Sequence, residues 1–241
     1  PHTYGKITAA QDTSYMDNFL SDDNHEHMVM PGMVYISQPT EYGTLYSLEE
    51  LTDLSEACRK YHLPLYVDGA RLAYALASPE NDVTLRDLAR LCDVFYIGGT
   101  KCGAFFGEAV VIPDPALISH FFTIVKQHGA LFAKGRILGI QFDTLFTDDL
   151  YLHIGESALT RAAAIKLALK ENGYQFFLET PTNQIFIILE NEVLHRLEEQ
   201  AEFSFWEKYD DSHTVIRIAT SWATTKEHTD ALIELLKMNR T

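Results

Sequence analysis

Two short stretches of the chain decide its fold class: Leu65-Tyr66-Val67-Asp68-Gly69-Ala70-Arg71 and Val94-Phe95-Tyr96-Ile97-Gly98-Gly99-Thr100-Lys101. Each is a short apolar run followed at once by glycine and polar residues, which predicts a buried strand with a polar loop at its carboxyl end. Leucine spacing over Leu85–Leu91 predicts a connecting helix. Strands joined in this way lie parallel, and ligands bind beyond their carboxyl ends. We therefore expect Asp68 and Lys101 at one edge of one sheet.

The flanking sequence extends this βαβ pattern. Ser47 stands three residues before Glu50, a capping box that opens a helix after a strand over Met33–Ile36. The resulting βαβαβ order predicts a mainly parallel sheet covered on both faces. Residues Ile7–Asp23 are expected as a short helix followed by a polar loop, and roughly Pro115–Phe146 as a mostly helical stretch. Strands are expected at Ala109–Ile112, Gln184–Leu189, Phe203–Trp206 and Val215–Ala219, and helices at Gly155–Asn172, Val193–Gln200 and Lys226–Leu236. The fold class is therefore α/β, with a large domain over residues 1–147 and a small α+β domain over residues 148–241 that includes the connecting long helix.

Composition argues against several classes of partner. The 241 residues include 19 Lys and Arg against 34 Asp and Glu, a formal charge of −15, which would repel nucleic acid. No run of about 18 apolar residues predicts a membrane-spanning helix. The three cysteines form neither a disulfide framework nor a CxxC pair, and His25 and His27 lack the partners of a metal site. We expect a cytoplasmic protein that acts on a small molecule, without nucleic acid, membrane or metal.

Lys101 and Asp68 together indicate a cofactor site. A lysine that forms a Schiff base needs a neutral amine at a fixed point, and Gly98 and Gly99 would let the backbone approach a bulky cofactor. Taken alone, a glycine turn with a solvated lysine is the commoner meaning of this motif. Asp68 could cap the following helix, but a carboxylate also keeps the ring nitrogen of pyridoxal phosphate protonated. An aspartate and a lysine at neighbouring strand ends can hold opposite ends of that ring.

As a pair, the two strand-end motifs resemble the signature segments of the threonine aldolase/aromatic β-eliminating lyase family. This family has the aspartate-aminotransferase-like fold type I of pyridoxal-phosphate enzymes. The likeness continues through residues 36–44, 134–141 and 216–224, and therefore spans nearly the whole chain. The resemblance implies pyridoxal 5'-phosphate as the cofactor and a homodimer or homotetramer as the assembly.

The resemblance also assigns roles to individual residues. Lys101 would hold the cofactor as a Schiff base, and Asp68 would pair with its pyridinium nitrogen. Arg71 matches an arginine near the cofactor and the substrate carboxylate. Arg217 matches the arginine that binds this carboxylate, and a planar guanidinium suits that role. Without the resemblance, an arginine in an alternating strand would more often be a surface charge. Thr100 would contact the cofactor phosphate or serve only as a turn residue, and the neighbouring strand-end residues Gln38 and Thr40 are weaker candidates for lining the pocket.

The implied reaction is aldol cleavage of β-hydroxy-α-amino acids, which converts threonine to glycine and acetaldehyde. Two alternatives stay open: β-elimination on another amino acid, because fold and lysine do not fix which bond breaks, or a catalytically incompetent fragment that retains the fold. Family members begin with a longer stretch that supplies phosphate-binding and ring-stacking residues. We expect this chain to lack that stretch, and its 241 residues alone to bind cofactor poorly or to aggregate.

Overall fold

The computed structural model describes residues 4–239, and its first half is built on a four-stranded sheet, sheet A. The strands stand in sequence order: β1 (Val34–Ser37), β2 (Leu65–Asp68), β3 (Val94–Ile97) and β4 (Ala109–Val111). The first three are parallel, with Ser37 opposite Asp68, and β4 is antiparallel to β3. The predicted βαβαβ order and the α/β fold class are confirmed.

The helix α1 (Ala9–Ser21) precedes sheet A in the chain. The helices between its strands are α2 (Leu48–Lys60), α3 (Leu72–Leu76) and α4 (Leu85–Leu91). The predicted capping box is present, since Ser47 Oγ accepts the Glu50 N–H at 3.1 Å and Glu50 Oε2 accepts the Ser47 N–H at 2.8 Å. α3 was not expected, because its five residues directly after the Asp68 loop are too few for a helical period to show.

The two faces of sheet A differ. On the inner face Ile36, Val67 and Phe95 are buried in the main hydrophobic core. Side chains alternate along a strand, so the intervening residues point the other way, and there Tyr35 is 55% exposed. Sequence predicted cover on both faces, but among residues 4–239 the outer face is open at β1 and only partly covered at β2 and β3.

Three helices lead from sheet A to the second sheet: α5 (Phe121–Gln127), α6 (Arg136–Phe146) and α7 (Leu150–Glu171). The single helical stretch expected over Pro115–Phe146 is therefore two helices, and α7 begins five residues before the predicted Gly155. Gly155 lies against α3, where a Cβ would overlap the carbonyl oxygen of Ala73. Gly155 therefore lies inside α7, where it allows a close helix–helix contact that periodicity does not reveal.

The second sheet, sheet B, is antiparallel, with β6 and β8 at its centre. Its order is β5 (Gln175–Leu178), β6 (Gln184–Glu190), β8 (His213–Ala219) and β7 (Ser204–Lys208), and its helices are α8 (Asn191–Glu198) and α9 (Lys226–Met238). β5 was not expected. It is a four-residue strand at the sheet edge with no buried residue, and its apolar run is only three residues long.

The second half of the chain packs against the loop that follows β1. Thr182 Oγ1 donates to the Gly43 carbonyl at 2.9 Å, and Ser78 Oγ donates to the Pro181 carbonyl at 3.0 Å. α7 contributes Ala158 to the core under sheet A and Ala162 to the core of sheet B. The predicted domain boundary at residues 147 and 148 falls just before this helix and stays a prediction. No helix within residues 4–239 is long and apolar enough to cross a membrane.

Candidate active site

Asp68 ends β2 and is held by three donors. Tyr35 Oη donates to Oδ2 at 2.5 Å, Tyr96 Oη donates to Oδ1 at 2.5 Å, and the Ala70 N–H donates to Oδ1 at 2.8 Å. Burial would raise the pKa of Asp68, but the hydrogen bonds from Tyr35, Tyr96 and the Ala70 N–H, together with the charge of Lys101, outweigh it and the pKa is lowered. Asp68 therefore offers an ionised carboxylate, and its bond to the Ala70 N–H shows that it also shapes the following turn.

Glycines bring the two strand ends together. The Gly98 N–H donates to the Gly69 carbonyl at 2.9 Å. A Cβ at Gly98 would overlap the Ala70 carbonyl oxygen, and a Cβ at Gly69 would overlap that of Tyr96. Sequence predicted that the glycines before Lys101 make room for a cofactor. At Gly98 the structure corrects this interpretation, because the missing side chain makes room for the neighbouring loop of the protein itself.

The turn that carries Lys101 is fixed by side chains that the sequence did not single out. Tyr151 Oη donates to the Gly98 carbonyl at 2.8 Å, and Tyr74 Oη donates to the Lys101 carbonyl. Glu108 accepts the Gly99 N–H and, at 2.8 Å, the Thr100 hydroxyl. The Thr100 hydroxyl therefore already donates its hydrogen bond to Glu108. To donate to a cofactor phosphate, Thr100 would have to give up this bond.

The amine of Lys101 is not bonded to any side chain of the described residues. Between residues 4 and 239 its Nζ makes neither a hydrogen bond nor an ion pair. Partial burial lowers its pKa, and the positive charge of Arg71 lowers it further. The carboxylates of Glu41, Asp68 and Glu108 act in the opposite direction without cancelling the shift. A lysine with a lowered pKa and a free amine is suited to act as a nucleophile.

Two arginines stand close enough for their charges to interact. Arg71 Nη1 lies 3.4 Å from both carboxylate oxygens of Glu41, an acidic residue that the sequence did not single out. Burial lowers the pKa of Arg217, and the charge of Arg71 lowers it further. Arg217 Nη1 reaches Gln184 Oε1 at 3.4 Å, its Nε is buried without a partner, and its Cζ lies 5.4 Å from the Trp206 ring centre. The long contacts leave donors available for a carboxylate.

A cavity of about 280 Å³ joins these elements. Lys101, Arg71 and Thr100 line it from the sheet A side, and Asn183 and residues 219–222 line it from sheet B. The structure therefore brings Lys101 and Arg71 to one cavity. Asp68 and Arg217 do not line it, but the charge of Lys101 helps to lower the pKa of Asp68, and the charge of Arg71 helps to lower that of Arg217.

Gln38 and Thr40, the two weaker candidates for lining the pocket, lie away from the cavity. Gln38 is 1% exposed, with its side-chain amide bonded to the backbone of Tyr46 in both directions, and Thr40 is 1% exposed and bonded to Thr44. Both build the loop after β1 rather than line the cavity, and Glu41 is the residue of that loop that reaches Arg71. Across the described part of the chain, no group of three or more His, Cys, Asp or Glu side chains is placed to hold a metal ion.

The donor set fits pyridoxal phosphate. Asp68 supplies the carboxylate that its ring nitrogen needs, and Lys101 supplies the amine that its aldehyde needs. These two groups approach from neighbouring strand ends, and the cavity beside Lys101 is open to sheet B. The arrangement can hold the ring at both ends and leaves the two arginines for an anionic substrate.

Sheet and site together define the fold type I class of pyridoxal-phosphate proteins. A PLP-bound protein from Clostridium difficile described as an aminotransferase has this fold, with a TM-score of 0.65 at 11% identity over 87% of this chain and 58% of its own. The chain belongs to the beta-eliminating lyase family, whose sequence model matches residues 6–223.

More similar relatives are threonine aldolases. A solved structure of Leishmania major threonine aldolase matches with a TM-score of 0.93 at 41% identity, covering 100% of this chain and 69% of that one. The low specificity L-threonine aldolase of Pseudomonas aeruginosa is 30% identical over 172 residues, which is 71% of this chain and 50% of the relative. The chain spans about half the length of the curated relatives that it matches.

Proposed function

We propose that the protein uses pyridoxal phosphate to cleave β-hydroxy-α-amino acids such as L-threonine or L-allo-threonine into glycine and an aldehyde. The observation that carries the proposal is the free Lys101 amine in one cavity with Arg71, electrostatically coupled to the ionised Asp68. The names of the relatives support the choice of reaction, because the Leishmania and Pseudomonas proteins are threonine aldolases.

Lys101 and Asp68 would hold the cofactor. Lys101 Nζ would bind it covalently, Asp68 would accept the N–H of its ring nitrogen, and Thr100 would contact its phosphate. When bound, pyridoxal phosphate supplies an electron sink for the carbon whose bond is broken. The protein's part is to orient that carbon and to keep the charges around it in place.

Arg217 and Arg71 would bind the substrate carboxylate. Arg217 has an Nε without a partner and a long 3.4 Å contact to Gln184, so its guanidinium can accept a carboxylate without breaking a short bond. Arg71 gives up only the 3.4 Å pair with Glu41. A planar guanidinium binds a carboxylate through two parallel hydrogen bonds, which fixes the orientation of the amino acid.

The cleavage moves one proton from the β-hydroxyl group and one to Cα. The Cα–Cβ bond breaks, the β-hydroxyl oxygen becomes the aldehyde oxygen, and the electron pair that stays at Cα is finally protonated to give glycine. Lys101 Nζ can carry the proton to Cα, since its lowered pKa makes the protonated amine a better proton donor than that of an ordinary lysine.

β-Elimination is the second candidate reaction, and the family description favours it, because the matching family is that of the beta-eliminating lyases. The two reactions break different bonds of the same bound amino acid. Aldol cleavage breaks Cα–Cβ, whereas elimination breaks the bond from Cβ to its leaving group. The residues at the cavity serve both, so product analysis has to decide between them.

A homodimer or homotetramer is the proposed assembly. Large apolar side chains stand exposed between residues 105 and 152; they include Phe105 at 93%, Phe122 at 67%, Phe132 at 60% and Ile140 at 57%. Several exposed large apolar side chains in one stretch of the chain support a contact between subunits. Sedimentation of the purified protein checks this assembly.

The test of the reaction is the identity of the products. The purified protein is supplied with pyridoxal phosphate and incubated with L-threonine, L-allo-threonine, L-serine and L-tyrosine in parallel. Glycine and acetaldehyde from the threonines support aldol cleavage. Pyruvate and ammonia from serine would replace it by elimination, and cofactor bound at Lys101 with no product from any substrate would mean a binding protein without turnover.

A further inference from the structure

Three tyrosines stand side by side on the outer face of sheet A. Tyr35 of β1 is opposite Tyr66 of β2, and Tyr96 follows two residues after Val94, the β3 partner of Tyr66. The Tyr35 and Tyr66 rings are stacked, with centres 5.2 Å apart and planes 14° apart, and the Tyr66 and Tyr96 ring centres are 6.4 Å apart. Alternation along β2 puts Asp68 on the same face as Tyr66.

The two outer phenols converge on Asp68, and the central one does not. Tyr35 and Tyr96 each donate to a different carboxylate oxygen at 2.5 Å. Tyr66, which lies between them, is not among the groups that donate to Asp68; instead the Asp68 charge helps to raise the pKa of Tyr66. Tyr35 is 55% exposed, so water could satisfy its hydroxyl. Its short bond to Asp68 is therefore a specific arrangement rather than a way to pair a buried phenol.

The donors leave one defined position on the carboxylate. An ionised carboxylate has about four acceptor sites, two on each oxygen. Tyr96 and the Ala70 N–H use those of Oδ1, and Tyr35 uses one on Oδ2. The remaining acceptor site is on Oδ2. A cationic N–H that approaches Asp68 would therefore meet Oδ2, with the plane of the carboxylate already fixed from both sides.

We propose that Tyr35 and Tyr96 are positioning residues that orient the Asp68 carboxylate so that Oδ2 accepts the N–H of an aromatic nitrogen cation. The inference rests on the proposed function, because it takes the cofactor's ring nitrogen as that cation. Both phenols also oppose protonation of Asp68, since a neutral carboxyl group accepts their hydrogen bonds less well. They act through Asp68 and touch none of the reacting atoms.

The test is the titration of Asp68 in the protein without cofactor. Aspartate labelled with carbon-13 at Cγ gives a carboxyl NMR signal, and Asp68→Asn identifies the signal of interest by its loss. Tyr35→Phe and Tyr96→Phe should each move the Asp68 midpoint to higher pH, and the double variant should move it further. Lys101, the charged side chain that faces Asp68, stays unchanged in all variants.

Tyr66→Phe is the matched control, because it removes a hydroxyl from the same face without removing a bond to Asp68. Its Asp68 midpoint should stay close to that of the unsubstituted protein. Equal shifts in all three single variants, or none in Tyr35→Phe and Tyr96→Phe, would overturn the proposal. The titration needs no cofactor, so its failure is distinct from failure of the proposed function, which would show as no attachment to Lys101.

Discussion

The strand-end site around Lys101 and the stretch of α7 around Lys166 each contain a lysine whose pKa is lowered, chiefly because neighbouring atoms displace water from the amine; at Lys166 the pKa falls to about 8. By accessible surface Lys101 is exposed and Lys166 is half-buried. Their surroundings differ. Lys166 Nζ donates to the Thr180 and Thr182 carbonyls at 2.6 and 2.8 Å, whereas Lys101 Nζ has no hydrogen bond or ion pair within residues 4–239.

This difference shows that a lowered pKa does not by itself identify a reactive lysine. The Lys166 amine is occupied by the loop between β5 and β6, and its contacts hold that loop on α7. The Lys101 amine faces a cavity and lies near Asp68 and Arg71, residues that can bind the two ends of a ligand. Access and the chemistry of the neighbours, rather than basicity, separate the candidate nucleophile from the structural lysine.

The largest expected effect is that of replacing Lys101, which tests whether Lys101 rather than Lys166 is the nucleophile. Lys101→Ala should abolish covalent attachment of pyridoxal phosphate and all turnover, because no other described lysine faces the cavity. Lys166→Met is the matched control and should keep both. Borohydride reduction followed by peptide mass spectrometry measures the site of attachment. Label on Lys166 in the unsubstituted protein, or undiminished turnover in Lys101→Ala, would break the distinction.

Gly98→Ala should have the next largest effect. The added Cβ would overlap the Ala70 carbonyl oxygen, so the Lys101 turn and the Asp68 loop must separate. We expect a loss of about 3 kcal/mol in the free energy of unfolding, measured with urea, and weaker cofactor attachment. Gly139→Ala on α6 is the control, because a Cβ there meets nothing within 4 Å. Equal stability of the two variants would mean that the strand ends are not tightly packed.

The next largest effect is a pH dependence of the free energy of unfolding that Lys166 should cause. Its pKa of about 8 lies below the ordinary 10.5, so between these values the unfolded chain holds more protons than the folded one. The free energy of unfolding therefore rises with pH in this window. Relative to Lys166→Met, the unsubstituted protein should gain up to about 3 kcal/mol between pH 7 and 10. Urea unfolding at both pH values measures this gain, and a constant difference would contradict it.

The sequence was sufficient to predict those residues of the candidate site that directly follow a strand. Asp68 and Lys101 each follow an apolar run directly, and parallel strands bring such positions to one edge. Glu41, Glu108 and Tyr35 were missed because they act through space, on Arg71, Thr100 and Asp68 respectively. In the sequence Tyr35 is only one more apolar strand residue, and no motif marks Glu41 or Glu108.

The helices and strands also divide into those with a local sequence pattern, which were predicted, and those without one, which were not. The strands of sheet A and the α2 cap were predicted because each has its own pattern, an apolar run or Ser47 and Glu50 at the helix start. α3 has too few residues to show a helical period, and the contact of Gly155 on α7 with Ala73 on α3 exists only in the folded chain. Lys166 is one residue of a regular helix, and its loop partners, Thr180 and Thr182, lie beyond the helix end.

The smallest expected effect concerns Glu41, whose charge raises the pKa of Lys101. Glu41→Gln removes that charge, so the Lys101 pKa should fall and the neutral amine should persist to lower pH. The pH midpoint for reductive methylation at Lys101 would then move downward, while that at Lys166 should stay, because Glu41 is not among the charges that act on it. Stability should change by less than about 1 kcal/mol, because the Glu41 side chain is 57% exposed. Glu56→Gln on the surface of α2 is the control, and an equal shift at both lysines would show that the site around Lys101 has no electrostatic environment of its own.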